Sequence, residues 1–338
     1  MARSRRTAAG SAPGRSLAID RWPRGITCDK GFRLMGTHLG FGASEGAGLH
    51  FLPHVDSVLP ARGSRILATP LCAAAIDAER RGLDTLGLGF GRKIRLGRMD
   101  LCLYPAGLGP GSALLEVVFQ DRRIAFCGGA RLAQPLNAPS IDVPRCDLLL
   151  VDVGAADPRP PSPRRASTAL AEWVVARTSA GQVPVVACGT FAAALDAAWT
   201  VAHLGVPARA CRTLFEMLRR VEPHSRVIED PRRLEQEWPS EGVVLHMAHM
   251  WPASQFALDV RLEVSYVGPG RDVPPWASAS FRLGESEDRP GLLELAKATG
   301  AAEVALGPRC DDDLAEFLAK AGLAVYKIHK LTQMPLPL

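Results

Sequence analysis

The sequence has no apolar run of about 18 residues, so it offers no bilayer-spanning helix. It also has no C-x-x-C pair. Its eight cysteines, at positions 28, 72, 102, 127, 146, 188, 211 and 310, are scattered, several of them inside apolar runs such as "IAFCGG" and "VVACGT". That pattern argues against a zinc knuckle or a disulfide framework and predicts buried free thiols in a reducing cytoplasm. No internal repeat is present. The first sixteen residues, "MARSRRTAAGSAPGRS", carry four arginines and no apolar segment, which argues against a secretory signal and predicts a disordered basic tail over 1–20, with a phosphate-binding arm as the alternative. One further absence is local. The stretch "LYPAGLGPGSALLEVVFQDRRIAFCGG" (Leu103 to Gly129) reads as strands around a tight glycine loop of the kind that presents a metal ligand. It holds no histidine or carboxylate in that loop.

What is there suits a substantial buried core. The chain has 338 residues, of which 47% are hydrophobic and 22% charged, an ordinary balance for a globular protein. The net charge of +5 and pI near 8.9 are compatible with a polyanionic partner without requiring one.

From Ile26 to Gly154 short apolar strands alternate with glycine turns. "SRILATP" predicts a strand leading into a helix over "LCAAAIDAERRG", and "KIRLGRMDLCLYPAG" predicts two strands joined by a turn. "LLEVVFQDRRIAFCGG" predicts a hairpin turning at Gln120-Asp121, and "CDLLLVDVG" a buried strand. The proline- and arginine-rich "AADPRPPSPRRAS" marks a crossing between subdomains. Beyond it, helix and apolar strand alternate through "TALAEWVVARTSAG", "VPVVACG" and "TFAAALDAAWTVAHLG", which predicts a small parallel sheet. A final unit runs from "ASFRLGESEDRPGLLELAKATG" through "AEVALG" and "DDDLAEFLAKAG" to "LAVYKI".

In this order, "FLPHVDSVLP" with "GSRILATP", "LYPAGLGPGSA", "CDLLLVD" and "GESEDRPGLL" with "VALGP" resemble the metallo-β-lactamase-fold β-CASP nucleases. The resemblance is nearest to the bacterial ligase-associated DNA exonucleases and the RNA 3′-end processing factors, and covers nearly the whole chain from about residue 26. It implies an α/β fold, an αββα sandwich with an inserted β-CASP cap containing a small parallel sheet. The implied divisions are 21–154 and 279–338 for the sandwich and 155–278 for the cap. It implies two zinc ions that activate a water against a phosphodiester. Motif by motif, His54 matches a ligand and Asp56 replaces a histidine by another candidate ligand. Val58, Leu59, Leu108, Gly129 and Leu306 stand where the remaining ligands would be, and Ser286 stands at a further histidine position while Asp288 is kept. Asp152 occupies the conserved acidic position. Two ligands cannot hold a catalytic zinc, which needs about three protein ligands. The expectation is therefore a protein without bound zinc, catalytically inactive, acting as a nucleic-acid- or partner-binding subunit in DNA repair or RNA processing. The partners so implied are DNA or RNA, an active paralogue, a DNA ligase or a helicase, with no membrane. The alternative is a divergent metallo-hydrolase centred on His54, Asp56, Asp152 and Asp288.

The bland reading of the same residues is structural. Asp56 is expected to cap the helix after its motif or to accept backbone N–H groups, and Asp152 and Asp288 to make structural hydrogen bonds, with pairing to His54 around a vestigial pocket as the alternative. His246 and His249 lie where a strand would point them to opposite faces. Ser112 has no assignable base. Arg92, Lys93, Arg95 and Arg98 in "GRKIRLGR", with Arg159, Arg164 and Arg165 at the start of the inserted unit, are the candidates for phosphate contacts, against the reading of a solvated charged surface.

Overall fold

The computed structural model describes residues 25–28, 31–42, 48–77, 79, 81–155, 159–224, 232–234, 239–251, 262–270 and 273–327; the predicted basic tail lies outside them. The chain first lays down β1 (Ile26–Cys28), β2 (Phe32–Leu34), β3 (Leu39–Phe41), β4 (Leu49–Phe51) and β5 (Arg65–Ala68). Helix α1 (Pro70–Ala75) and strand β6 (Asp84–Gly87) follow. These six strands form one sheet in sequence order, parallel from β3 to β6. Next come β7 (Ile94–Leu96), β8 (Met99–Pro105), β9 (Ala113–Phe119), β10 (Arg122–Cys127) and β11 (Leu148–Val151). An inserted unit holds α2 (Pro163–Ser179), β12 (Val183–Cys188), α3 (Phe191–Ala202), β13 (Ala208–Ala210) and α4 (Arg212–Val221). It continues through β14 (Arg232–Arg233), β15 (Val243–Met247), β16 (Leu262–Val267) and β17 (Ala279–Phe281). The chain ends in α5 (Arg289–Thr299), β18 (Glu303–Leu306), α6 (Asp312–Lys320) and β19 (Ala324–Lys327). The second sheet has the order β19-β18-β11-β10-β9-β8-β7, and the inserted, all-parallel sheet the order β14-β13-β15-β12-β16-β17. Because β17 pairs with β16, the inserted unit runs a few residues past the expected limit at 278.

The first two sheets face each other across a core in which Phe126 meets Phe41 at 5.2 Å, Phe51 at 5.9 Å and Phe32 at 6.2 Å between ring centroids. Strand β11 explains the run "LLLV". Leu148 and Leu150 enter that inter-sheet core, while Leu149 and Val151 pack under α5 and α6. A strand buried on both faces has no polar side to show. The Gln120-Asp121 turn is found as predicted, with φ of +52° and +60°, the left-handed pair of a two-residue hairpin. Helix α1 is shorter than the predicted "LCAAAIDAERRG": Asp77 turns to φ +56°, and Arg81 Nε donates to the Ile76 carbonyl at 2.7 Å. The other face of the first sheet, α1, α2, α3, α4 and one face of the inserted sheet share a single apolar core.

Candidate functional site

A cleft of about 520 Å³ opens where strands end: after β4 (His54, Asp56), β10 (Gly128, Gly129), β11 (Val153, Gly154), β16 (Gly270), β17 (Glu285, Ser286) and β18 (Arg309). In an α/β protein the carboxyl ends of parallel strands are where ligands gather, because loops there can diverge without disturbing the sheet.

His54 is held by a tight turn, its backbone N–H donating to Ser57 Oγ at 3.1 Å while that hydroxyl donates to the His54 carbonyl at 2.6 Å. Both ring nitrogens are engaged. Nε2 lies 3.1 Å from the Gly128 carbonyl, and Nδ1 accepts the Asp56 backbone N–H at 3.2 Å. These partners assign the proton to Nε2. Burial lowers the imidazole pKa, opposed in part by the Asp56 charge, and Arg309 lowers it further; the ring is a neutral structural group. Asp56 does not cap the helix that follows it. Its Oδ1 accepts Phe191 N–H at 2.7 Å and its Oδ2 accepts Ala192 N–H at 2.9 Å, while Thr190 Oγ1 takes Ala193 N–H at 3.1 Å. The residue thus closes the amino end of α3, far along the chain in the inserted unit, where a carboxylate meets orphan donors and the positive end of the helix.

Neither Asp152 nor Asp288 pairs with His54; each makes structural hydrogen bonds of its own. Asp152 Oδ1 accepts Arg309 N–H at 3.1 Å, Oδ2 lies 3.3 Å from Arg309 Nε, and the same guanidinium donates to the Asp152 and Gly128 carbonyls. Asp152 is packed so closely on Gly307 that a Cβ there would stand 2.5 Å from Oδ1. Asp288 is the N-cap of α5, accepting Gly291 N–H at 2.9 Å, with Arg159 Nε 3.5 Å away. Ser286 exchanges hydrogen bonds with the Ala130 backbone. Ser112 Oγ donates to Gly109 O at 2.7 Å and shapes the loop that puts Leu108 in the cleft. Leu108 Cδ2 would be 2.9 Å from a Cβ at Gly129, so the leucine fills the space beside the missing side chain.

The other positions implied by the resemblance disperse. Val58 is 60% exposed, Leu59 packs on the core shared with the inserted unit, and Leu306 is buried under α5 and α6. None of Arg92, Lys93, Arg95, Arg98, Arg164 or Arg165 lines the cleft. Lys93 and Arg95 border a separate hollow with Glu116 and Arg123, Arg98 borders a groove elsewhere, and Arg164 and Arg165 are exposed in the first turn of α2. His246 lies within β15, one residue before its end, with Nδ1 3.0 Å from the Met247 carbonyl, and His249 lies in the 3-10 turn after it. Arg309, the cation of the cleft, went unnoticed in the sequence; its one signal was a charged residue directly after "VALGP".

Among the described residues no three histidine, cysteine, aspartate or glutamate side chains converge as a metal-holding group. The donors that are present do not fit a two-zinc centre, since His54 and the Asp56 and Asp152 carboxylates each have both polar atoms in protein contacts and a guanidinium stands beside them. Among the described residues the cleft is a satisfied polar lining with one half-exposed cation, Arg309.

Sheet order and site together define a mixed α/β protein with a parallel-sheet insertion. Its fold is shared with a crystal structure of a protein of unknown function from Enterococcus faecalis V583, at TM-score 0.55 and 9% identity, over 83% of this chain and 79% of that one. No family model and no curated protein matches the sequence. No described helix is long and apolar enough to cross a membrane.

Proposed function

We propose that the chain is a catalytically silent relative of the metallo-β-lactamase-fold β-CASP nucleases, acting as a partner-binding subunit in nucleic-acid processing. Two facing sheets flanked by helices, with a parallel-sheet unit inserted between β11 and α5, agree with that sandwich-and-cap plan. The single observation that carries the silent reading is Asp56, a carboxylate at a ligand position with both oxygens committed to the N–H groups of α3. Arg309 adds to it by giving Asp152 a fixed counter-charge in the place of a metal ion. Removing such a partner would leave a buried charge uncompensated, so the arrangement resists exchange for a metal. A protein partner is favoured over nucleic acid because the seven basic candidates do not border the cleft and its own cation is paired.

Metal analysis of the purified chain, with nuclease assays on single- and double-stranded DNA and RNA in added zinc or manganese, tests the reading. Substoichiometric metal and no cleavage are expected. Near-stoichiometric zinc together with cleavage abolished by His54→Ala would overturn it in favour of the divergent hydrolase, and tight salt-dependent binding of a nucleic acid would replace the protein partner.

A further inference from the structure

A hollow of about 800 Å³ shares no residue with the cleft; it crosses the first residues of β3, β4, β5 and β6, reaches the free edge at Asp84–Leu86, and is closed by the β7–β8 turn of the second sheet. We propose that this open edge docks an extended segment of a partner protein, in which apolar residues alternate with polar ones and an acidic residue meets Arg98.

The backbone gives the first reason. Strand β6 ends its sheet, and among the described residues no strand pairs with its outer side. Asp84 and Leu88 donate their N–H groups to Ser64 and Ala68 of the β5 side, at 3.0 and 2.9 Å. By strand alternation Thr85 and Gly87 turn their N–H and C=O groups outward, a free hydrogen-bonding row that an added strand would satisfy. All four residues of β6 are exposed, and none is a proline or a lysine, the usual guards of an edge.

Side chains give the second. The floor of the groove is Leu39, Leu49, Leu86, Leu96, Met99 and Phe119, with Leu86 and Leu96 each 38% exposed. A strand laid along β6 would meet this gap opposite Asp84–Leu86 and could send its apolar side chains there into it. The rim is basic: Arg98 and His38 border it, and among the described residues Arg98 has no ion pair, whereas Arg65 is already held by Asp84 at 2.8 Å. Among the described residues Arg92 and Lys93, just before β7, are likewise without ion pairs. Charge complementarity therefore selects an acidic segment, and the apolar floor selects an alternating one.

The test uses the full chain and a fluorescein-labelled peptide of sequence EVTLEVTLE, followed by fluorescence anisotropy. The controls are the lysine version KVTLKVTLK and a scramble without alternation. Saturable binding of the glutamate peptide alone is expected. Thr85→Pro removes an outward N–H and spares the ladder to β5, and Arg98→Glu, at an exposed site, reverses the rim; each should weaken binding by about tenfold or more. Absence of saturable binding, equal binding of the lysine peptide, or binding unchanged in both variants would overturn the proposal. Self-association of the chain that Thr85→Pro abolishes would also overturn it, by giving the edge to a second copy. The proposal extends the partner-binding reading, but the two fail separately: zinc with cleavage would end the silent reading and leave the groove untouched, and a peptide that does not bind would end the groove and leave the metal result standing.

Discussion

Asp196 lies in α3, buried against Gly284 and Arg131 where the inserted unit meets the sandwich. Burial pushes its carboxyl pKa up to about 7, against the opposing pull of the Gly284 N–H and the Arg131 charge. The unfolded chain would release this proton near 3.8. The native state therefore holds more protons between the two values. This residue's contribution to stability is greatest at acid pH, falls as pH rises toward about 7 and is level above it, a span of at most about 4 kcal/mol. Asp196→Asn keeps an acceptor for Gly284 and removes the titration. In urea unfolding at about pH 5 and about pH 8, the variant should gain on the wild type at the higher pH. A gap between the two proteins that does not change with pH would refute this account. The His54 of the cleft follows the same physics, with desolvation outweighing the Asp56 charge. Neither environment is visible in the residues next to these positions in sequence.

At the scale of elements, the amino end of α3 is completed from outside. Thr190 supplies one acceptor, as sequence rules for helix starts anticipate, but Phe191 and Ala192 depend on Asp56, which sits 135 and 136 residues earlier. Asp56→Ala should cost about 1–2 kcal/mol, read as a lower urea midpoint, with faster amide exchange at Phe191 and Ala192. Asp56→Asn, which keeps one acceptor and loses the charge, should cost less. An unchanged midpoint in the alanine variant would show that the contact does not hold the helix. A second clasp joins elements in the same way: Arg220 of α4 donates to the Ala74 and Ala75 carbonyls at the end of α1, with Asp77 3.5 Å from its Nη1. By contrast, the β9–β10 turn and the doubly buried β11 were legible because their determinants are contiguous.

Over the whole molecule, the inserted unit is not a separate body resting on the sandwich. Leu52, Val55, Ile66 and Leu71 share one buried core with Leu170, Leu195, Leu214 and Leu245 of the insertion, and the Asp56 and Arg220 contacts bridge the same seam. The two parts should therefore unfold together. The described tryptophans, Trp173, Trp199, Trp251 and Trp276, all stand in the inserted unit, so in a Trp22→Phe background the fluorescence follows that unit while far-UV circular dichroism follows all three sheets. Coincident transitions in urea are expected. Fluorescence changing clearly before the circular dichroism would mean that the insertion opens alone.

The sequence by itself determined what depends on neighbours along the chain: the order of strands and helices, the Gln120-Asp121 hairpin, the both-faces-buried β11, and the glycine loop around Leu108. Alternation, turn chemistry and capping act within a few residues, so they can be read in line. Only the tertiary structure decided which polar groups meet: that Asp56 serves a helix in the insertion, that Arg309 answers Asp152, and that Val58, Leu59 and Leu306 leave the cleft. It also decided that the basic stretch from Arg92 to Arg98 lies away from the cleft. Those outcomes rest on hydrogen bonds and ion pairs between segments brought together by burial of apolar surface, which fixes distance in space without leaving a pattern in the chain.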